Sequence, residues 1–254
     1  MHKGSVYIGT SGWMYKDWGE AFYPPGMKKG FLSYLAQEFP TVEVNSSFYH
    51  LPLASTFAKW REEVPESFVF SVKLSRYVTH RNLPSVRQPV YRFLSRAKRL
   101  QEKLGPVLVQ FPPHKKFSEA WFEKFLEDLA AAAKRAGVHP RFAIEPRHES
   151  WLAALPKVRA LLRKAHIALV FPHSSRIPSV PPEDENLTAD FVYVRFHGPS
   201  EFGASSYGSR RLAPWATRIR RWRDQGKDVF CYFNNDQHGY AVEDARTLRR
   251  LVRE

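Results

Sequence analysis

The 254-residue chain carries 39 Lys and Arg against 25 Asp and Glu, a formal charge of +14, which favours encounters with polyanions and with acidic or phosphorylated small molecules. Hydrophobic residues make up 43% of it, enough for a substantial core and too many for wholesale disorder. The single cysteine, Cys231, excludes an internal disulfide framework and a cysteine-rich zinc site. No apolar run reaches the roughly 18 residues needed to span a membrane, and a strand starting near Val6 leaves no room for a signal peptide. The expectation is a soluble, cytoplasmic protein with no membrane partner.

In chain order, Val6–Thr10 reads as a first strand. Ser11–Gly26 is aromatic (Trp13, Tyr15, Trp18, Phe22, Tyr23) but irregular, and closes on the turn signal Pro24-Pro25-Gly26. Phe31, Leu35 and Phe39 recur at helical spacing. Thr41–Asn45 is a second strand, followed by a helix whose stripe is Leu53, Phe57, Trp60 and Val64 and which Pro65 stops. Phe68–Lys73 is a third strand, followed by the stripe Val90, Phe93, Leu94, Ala97 and Leu100. Val107–Phe111 is a fourth, broken by Pro112-Pro113. Ser118 is placed to cap a helix carrying Phe122, Phe125, Leu126 and Leu129, which Gly137 ends. Arg141–Glu145 is a fifth strand, and Ser150 is placed to cap a helix running from Trp151 through Leu162. Ile167–Phe171 is a sixth.

The rhythm then falters: Pro172–Leu187 holds four prolines, so the sixth crossover is mostly loop. Phe191–Gly198 alternates with period two, Val192, Val194 and Phe196 on one face and Tyr193, Arg195 and His197 on the other. A helix with Leu212, Trp215, Ile219 and Trp222, a strand at Asp228–Phe233 and a closing helix with Ala241, Ala245, Leu248 and Val252 complete the chain. About eight strands alternating with about seven helices predict an α/β fold, a TIM-like (β/α)8 barrel with an irregular sixth crossover and a single domain over 1–254. Polar residues late in the strands, on one face only, favour it over an open doubly wound sheet.

In such a barrel the strand ends deliver Glu43, Asn45, Lys73, Gln110, Glu145, Arg195, His197 and Asn234, with Arg147 in reach, to a common mouth. A structural ion network pairing Glu43 and Glu145 with Lys73 and Arg195 is the plain alternative to a ligand pocket. For a pocket, Arg195 supplies a planar fork of donors suited to phosphate or carboxylate, and Lys73 a point charge. His197 is the group that titrates nearest neutrality, with Glu145 or Glu43 to orient it or to act as a base. Asn45, Gln110, Asn234 and Tyr193 supply neutral hydrogen bonds, and Trp13 and Tyr49 offer faces for stacking a base or a sugar unless the aromatic loop packs on itself. Glu43, Glu145, His148, His173, His197, Asp236 and His238 could in principle ligate a metal, but none shows ligand spacing, and no glycine-rich phosphate loop is present, so no metal and no cofactor is expected. The Arg-rich segments 218–223 and 246–253 read as solvated outer faces.

Five blocks resemble the YecE-like family, domain of unknown function 72: Gly9-Thr10-Ser11-Gly12-Trp13, Glu43-Val44-Asn45-Ser46-Ser47-Phe48-Tyr49, Gln110-Phe111-Pro112-Pro113, Tyr193-Val194-Arg195-Phe196-His197-Gly198 and Tyr232-Phe233-Asn234-Asn235-Asp236. Arg147-His148 and Ser150-Trp151 resemble a further block, whereas Glu243-Asp244-Ala245 has Asp where the family pattern leads one to expect Asn. The resemblance implies a TIM barrel, similar in shape to the endonuclease IV and xylose isomerase group, and carries over no activity. The functional expectation is a small anionic, phosphorylated or nucleotide-like ligand at the strand ends, with metal-independent hydrolysis or lysis of a phosphate or glycosidic bond as the enzymatic form. The alternatives are non-catalytic nucleic-acid binding and a metal-dependent, endonuclease-like enzyme.

Overall fold

The computed structural model describes residues 2–19 and 21–254. Its elements begin β1 (Val6–Ser11), α1 (Phe31–Glu38), β2 (Thr41–Val44), α2 (Ser46–Tyr49), α3 (Ala54–Glu62), β3 (Val69–Lys73), α4 (Arg76–Thr79) and α5 (Arg87–Ala97). They continue β4 (Leu104–Gln110), α6 (Glu119–Ala136), β5 (Phe142–Glu145), α7 (Ser150–Ala153), α8 (Leu155–Lys164), β6 (Ala168–Leu169) and β7 (Phe171–His173). The last are β8 (Phe191–Phe196), α9 (Gly208–Asp224), β9 (Asp228–Phe233) and α10 (Tyr240–Arg253). The chain forms two compact units: unit 1 is Met1–Glu43, Phe171–Pro181 and Asp190–Glu254, and unit 2 is Val44–Val170 and Pro182–Ala189.

In unit 1 the strands lie in the order β2-β1-β9-β8-β7, and β1 pairs in parallel with β2 and β9, as β8 does with β7 and β9. Parallel strands put their carboxyl ends on one edge, and the register fixes who meets there: Ser11 opposite Glu43, Thr10 opposite Phe233, Arg195 opposite Tyr232. All six residues of β8 are buried, as strands covered on both faces are. The core is completed by α9, which buries Leu212, Trp215, Ile219 and Trp222, and by α10, which buries Ala241, Ala245, Leu248 and Val252. The Trp222 ring stacks on Phe171 at 5.9 Å. Both stripes follow the helical period predicted from the sequence.

Unit 2 has the strand order β6-β5-β4-β3, again parallel. Lys73 ends β3, Gln110 ends β4 and Glu145 ends β5, with Gln110 in register with Glu145. The helix α6 buries Phe122, Phe125, Leu126 and Leu129 and stops at Gly137, whose φ of 65° is the left-handed conformation glycine adopts without penalty.

Three local expectations are corrected. The sixth strand is two short ones: β6 pairs with β5, β7 pairs with β8, and Val170 lies between them, its amide on the Ile144 carbonyl. Ser118 stands at the N-cap of α6 in extended geometry but makes no side-chain cap bond. Ser150 caps nothing; it is the first residue of α7, its hydroxyl accepts from the Phe117 amide at 2.8 Å, and the expected long helix breaks at Ala154 into α7 and α8. The sixth crossover is irregular as expected, with one 3₁₀ turn at Asp184–Asn186.

Candidate functional site

In unit 1 the strand alternation brings Tyr193 and Arg195 to the same face, and both meet Glu43. The guanidinium grips the carboxylate with both arms: Nη2 donates to Oε1 at 2.8 Å and Nε to Oε2 at 3.0 Å. The Ser11 hydroxyl donates to Oε1 at 2.8 Å and the Tyr193 phenol to Oε2 at 2.7 Å. Glu43 is 0% and Arg195 1% exposed, so this ion pair lies in a low-dielectric setting where its four hydrogen bonds offset the desolvation cost. Burial, and then the Glu43 charge, push the Tyr193 phenol well above its usual range, which keeps it a donor. Behind it, Thr41 and Tyr232 hydroxyls share a bond of 2.8 Å.

His197 follows β8 directly, is fully buried, and brings Nε2 to 3.5 Å from Arg195 Nη1. Its carbonyl accepts from Gly203 N at 2.7 Å, and Phe202 stacks on its ring at 5.3 Å. Gly198 makes this turn: its φ is +94° and a Cβ there would stand 2.2 Å from the Glu201 carbonyl oxygen. The expected reach of Asn234 is partly exposed, with its amide bonded to the Phe196 carbonyl at 2.7 Å.

Two acids after β9 and in α10 carry more of the geometry than the sequence suggested. Asp244 is 1% exposed and accepts from the amides of Tyr207 and Gly208 and from Ser206 Oγ and Asn235 Nδ2. It is the anion at the N-terminus of α9, the site that favours one, and the Asp in place of an expected Asn supplies it. Asp236 is different: its Oδ1 is buried and accepts no hydrogen bond. Burial raises its carboxyl to about 8, with the Glu43 charge adding to the rise and Arg195 opposing it.

The aromatic loop is self-packed. Trp18, Phe22 and Tyr23 are buried against one another, Trp18 to Phe22 at 5.8 Å and Phe22 to Tyr23 at 4.7 Å. Trp13 is half-buried and its carbonyl accepts from the Tyr23 phenol. Within unit 1, therefore, the structure brings Glu43, Tyr193, Arg195 and His197 together, and adds Ser11, Asp236 and Asp244.

In unit 2 the predicted residues Lys73, Gln110 and Glu145 end adjacent strands. Glu145, fully buried, accepts from Arg147 Nε at 2.6 Å, so its ion-pair partner is Arg147. Lys73, 8% exposed, holds Nζ 4.1 Å from the Phe48 ring centroid, a cation–π geometry. Gln110 Nε2 donates to the Phe111 carbonyl at 2.8 Å. Asn45 is half-buried, its carbonyl accepting from Phe48 N at 3.1 Å, and Tyr49 is 61% exposed with its ring edge-on to Phe48.

His80, absent from the sequence reading, sits among these groups. Its ring meets Phe48 at 5.1 Å and Nδ1 shares a bond of 2.8 Å with Thr79 Oγ1. Burial, then the charges of Lys73, Arg76, His114 and Arg147, hold it down to about 4. No motif announces it; it follows the short helix α4, whose existence depends on the fold. Among the described residues no group of three or more His, Cys, Asp or Glu is arranged to hold a metal ion, and no helix is long and apolar enough to cross a membrane.

Comparison with known proteins bears on the family and the fold. The chain is 28% identical over 282 residues to the UPF0759 protein YunF of Bacillus subtilis strain 168, covering 97% of this chain and 94% of that protein. A crystal structure of a DUF72 family protein from Thermotoga maritima MSB8 is 27% identical, with a TM-score of 0.82 over 98% of this chain and 100% of that one. SacUVDE, 10% identical with a TM-score of 0.58 over 98% and 99% of the two chains, shares the fold alone. The fold class is the α/β, TIM-like barrel that the strand–helix rhythm predicted. The family model described as "Protein of unknown function DUF72" matches residues 7–254, and the chain belongs to that family.

Proposed function

We propose that the protein binds a small anionic, phosphorylated ligand at the carboxyl ends of the unit 2 strands. The observation that carries this is the company His80 keeps: Lys73, Arg76, His114 and Arg147 all act on it. Three of these are permanent cations, and the carboxylate beside them, Glu145, is already held by Arg147. Such a set has a net positive field in a partly buried place, and a phosphate answers it with charge and acceptors at once. Ligands of α/β barrels bind at this edge of the strands, which supports the reading by analogy.

The test is titration of inorganic phosphate and pyrophosphate into the full-length protein while the His80 ring is followed by NMR. An anion among the cations favours the charged imidazole, so the His80 midpoint moves up from about 4. Lys73→Met, which keeps the stem over Phe48, weakens binding about tenfold or more, the worth of a charge-assisted bond. A His80 midpoint that stays put with both anions, or equal affinity in the variant, refutes the proposal.

A further inference from the structure

We propose that Asp236 is a general acid: a neutral carboxylic acid at the carboxyl ends of β1, β8 and β9 that gives its proton to the oxygen leaving group of an ester or a glycoside. The inference concerns unit 1 and does not depend on the anion site of unit 2.

The geometry begins with an unmet need. Asp236 Oδ1 is buried and accepts nothing, and leaving a buried polar atom unbonded is costly, so such atoms call for a partner or a function. The backbone around it is held firmly. Trp18 Nε1 donates to the Asp236 carbonyl at 3.0 Å, and the neighbouring Asn235 donates to Ser205 O at 2.9 Å and to Asp244 Oδ2 at 2.8 Å. The carboxyl is thus fixed in place with an open valence, as a reacting group must be and a structural one rarely is.

The groups facing it decide its proton. Tyr15, Glu43 and Arg195 act on Asp236 from the loop after β1, from β2 and from β8; Asp17 and His238 lie along the adjoining turns, the His238 amide 3.4 Å from Asp17 Oδ2. Arg195 would favour the anion, but Glu43 holds its guanidinium with two bonds. The Tyr15 phenol touches Asp236 and would also favour the anion if it donated. Its one proton goes instead to the Ser11 carbonyl, so toward Asp236 the phenol oxygen is an acceptor for a carboxylic acid. With burial raising the group to about 8, Asp236 enters neutral solution with its proton on, the state a general acid needs.

The step is a hydrolysis with water as co-reactant. The bond from phosphorus or anomeric carbon to the leaving oxygen breaks, and its electron pair goes to that oxygen as it takes the Asp236 proton. Water oxygen bonds to the centre left behind, and the proton it sheds returns to Asp236.

The experiment compares phenyl and 4-nitrophenyl phosphates and the matching β-glucosides as substrates of the full-length protein. 4-Nitrophenolate leaves without help, phenolate does not. Asp236→Asn should therefore slow the phenyl substrate by about 10²-fold or more while slowing its nitrophenyl partner far less. The wild-type rate should fall above about 8, that limb should vanish in Asp236→Asn, and Asp236→Glu should restore it. The phosphate and glucoside arms identify which bond is cut. Equal losses for both leaving groups, an alkaline limb that survives in Asp236→Asn, or no hydrolysis of any of the four by the wild type overturns the proposal. Should Asp236→Asn fail to fold, infrared spectra of the wild type decide: a protonated carboxyl band that persists at neutral pH and fades near 8 supports it, and its absence refutes it.

Discussion

Replacing Arg195 by Met isolates what the Glu43 ion pair is worth. The side chain is 1% exposed, and Met fills much of its volume without its charge. The substitution removes the two bonds of the guanidinium fork, those at 2.8 and 3.0 Å, from a fully buried carboxylate that Ser11 and Tyr193 also reach. Stranding one partner of a buried pair costs about 3–5 kcal/mol. For a chain of this size that lowers the melting temperature by roughly 6–20 °C. The control is Arg246→Met. Its fork to Glu38 is comparable in form, but the side chain is 45% exposed, and such a pair is worth about 1 kcal/mol or less. The diagnostic is the double variant. Adding Glu43→Gln to Arg195→Met removes the stranded charge, so the double should be more stable than Arg195→Met alone. Denaturant melts of the wild type, Arg195→Met, Glu43→Gln and the double give the cycle. A loss for Arg195→Met no larger than for Arg246→Met, or a double variant that costs the sum of its singles, would refute the reasoning.

Asp244→Ala removes the acceptor for the Tyr207 and Gly208 amides at the start of α9. It should cost about 2 kcal/mol, the upper range for a lost cap, and amide exchange should quicken in the first turn of α9 while α10 beyond its first turns is unchanged. Asp236 gives a pH signature. Its folded value is raised from 3.8 to about 8, so between those limits the native state holds a proton that the unfolded state has lost. Stability then falls as pH rises through that window, by up to about 1.4 kcal/mol per unit from this group. Asp236→Asn abolishes the slope, so the variant should gain on the wild type from acid to about 8 and no further. Parallel stability–pH curves for the two proteins would contradict it.

Much of unit 1 was legible because a strand speaks in a short period. Tyr193, Arg195 and His197 share a face by alternation alone, and the structure joins them in a row, Tyr193 and Arg195 on Glu43 and His197 beside Arg195. The partner was less legible: Glu43 stands 152 residues away, and only the assumption of strand ends converging made it a candidate. Glu145, weighed for a structural network, is held by Arg147, two residues along, a partner that strand alternation alone did not mark for it. The sixth strand misled because Ile167–Phe171 is continuously apolar, and apolarity does not reveal that hydrogen-bonding partners change at Val170. Asp244 and His80 were illegible for one reason: their roles are set by amides and cations brought from other elements, which no local pattern records.

Glu43 and Asp236 then show how one cluster separates two acids. Both are carboxyls with buried oxygens and both feel Arg195. Glu43 accepts bonds on both oxygens from four donor groups, and only the carboxylate form can satisfy all of them. Protonating it would strand a donor, so its work is to fix Arg195 and Tyr193 in place. Asp236 keeps one oxygen unbonded and receives a phenol already committed elsewhere, so losing its proton, not keeping it, is the costly state. Environments that push neighbouring acids to opposite protonation states are how acid and anion roles are divided at neutral pH. On the proposal made above, proton transfer falls to the acid three residues beyond β9, and the Glu43–Arg195 ion pair supplies the fixed field in which that acid titrates.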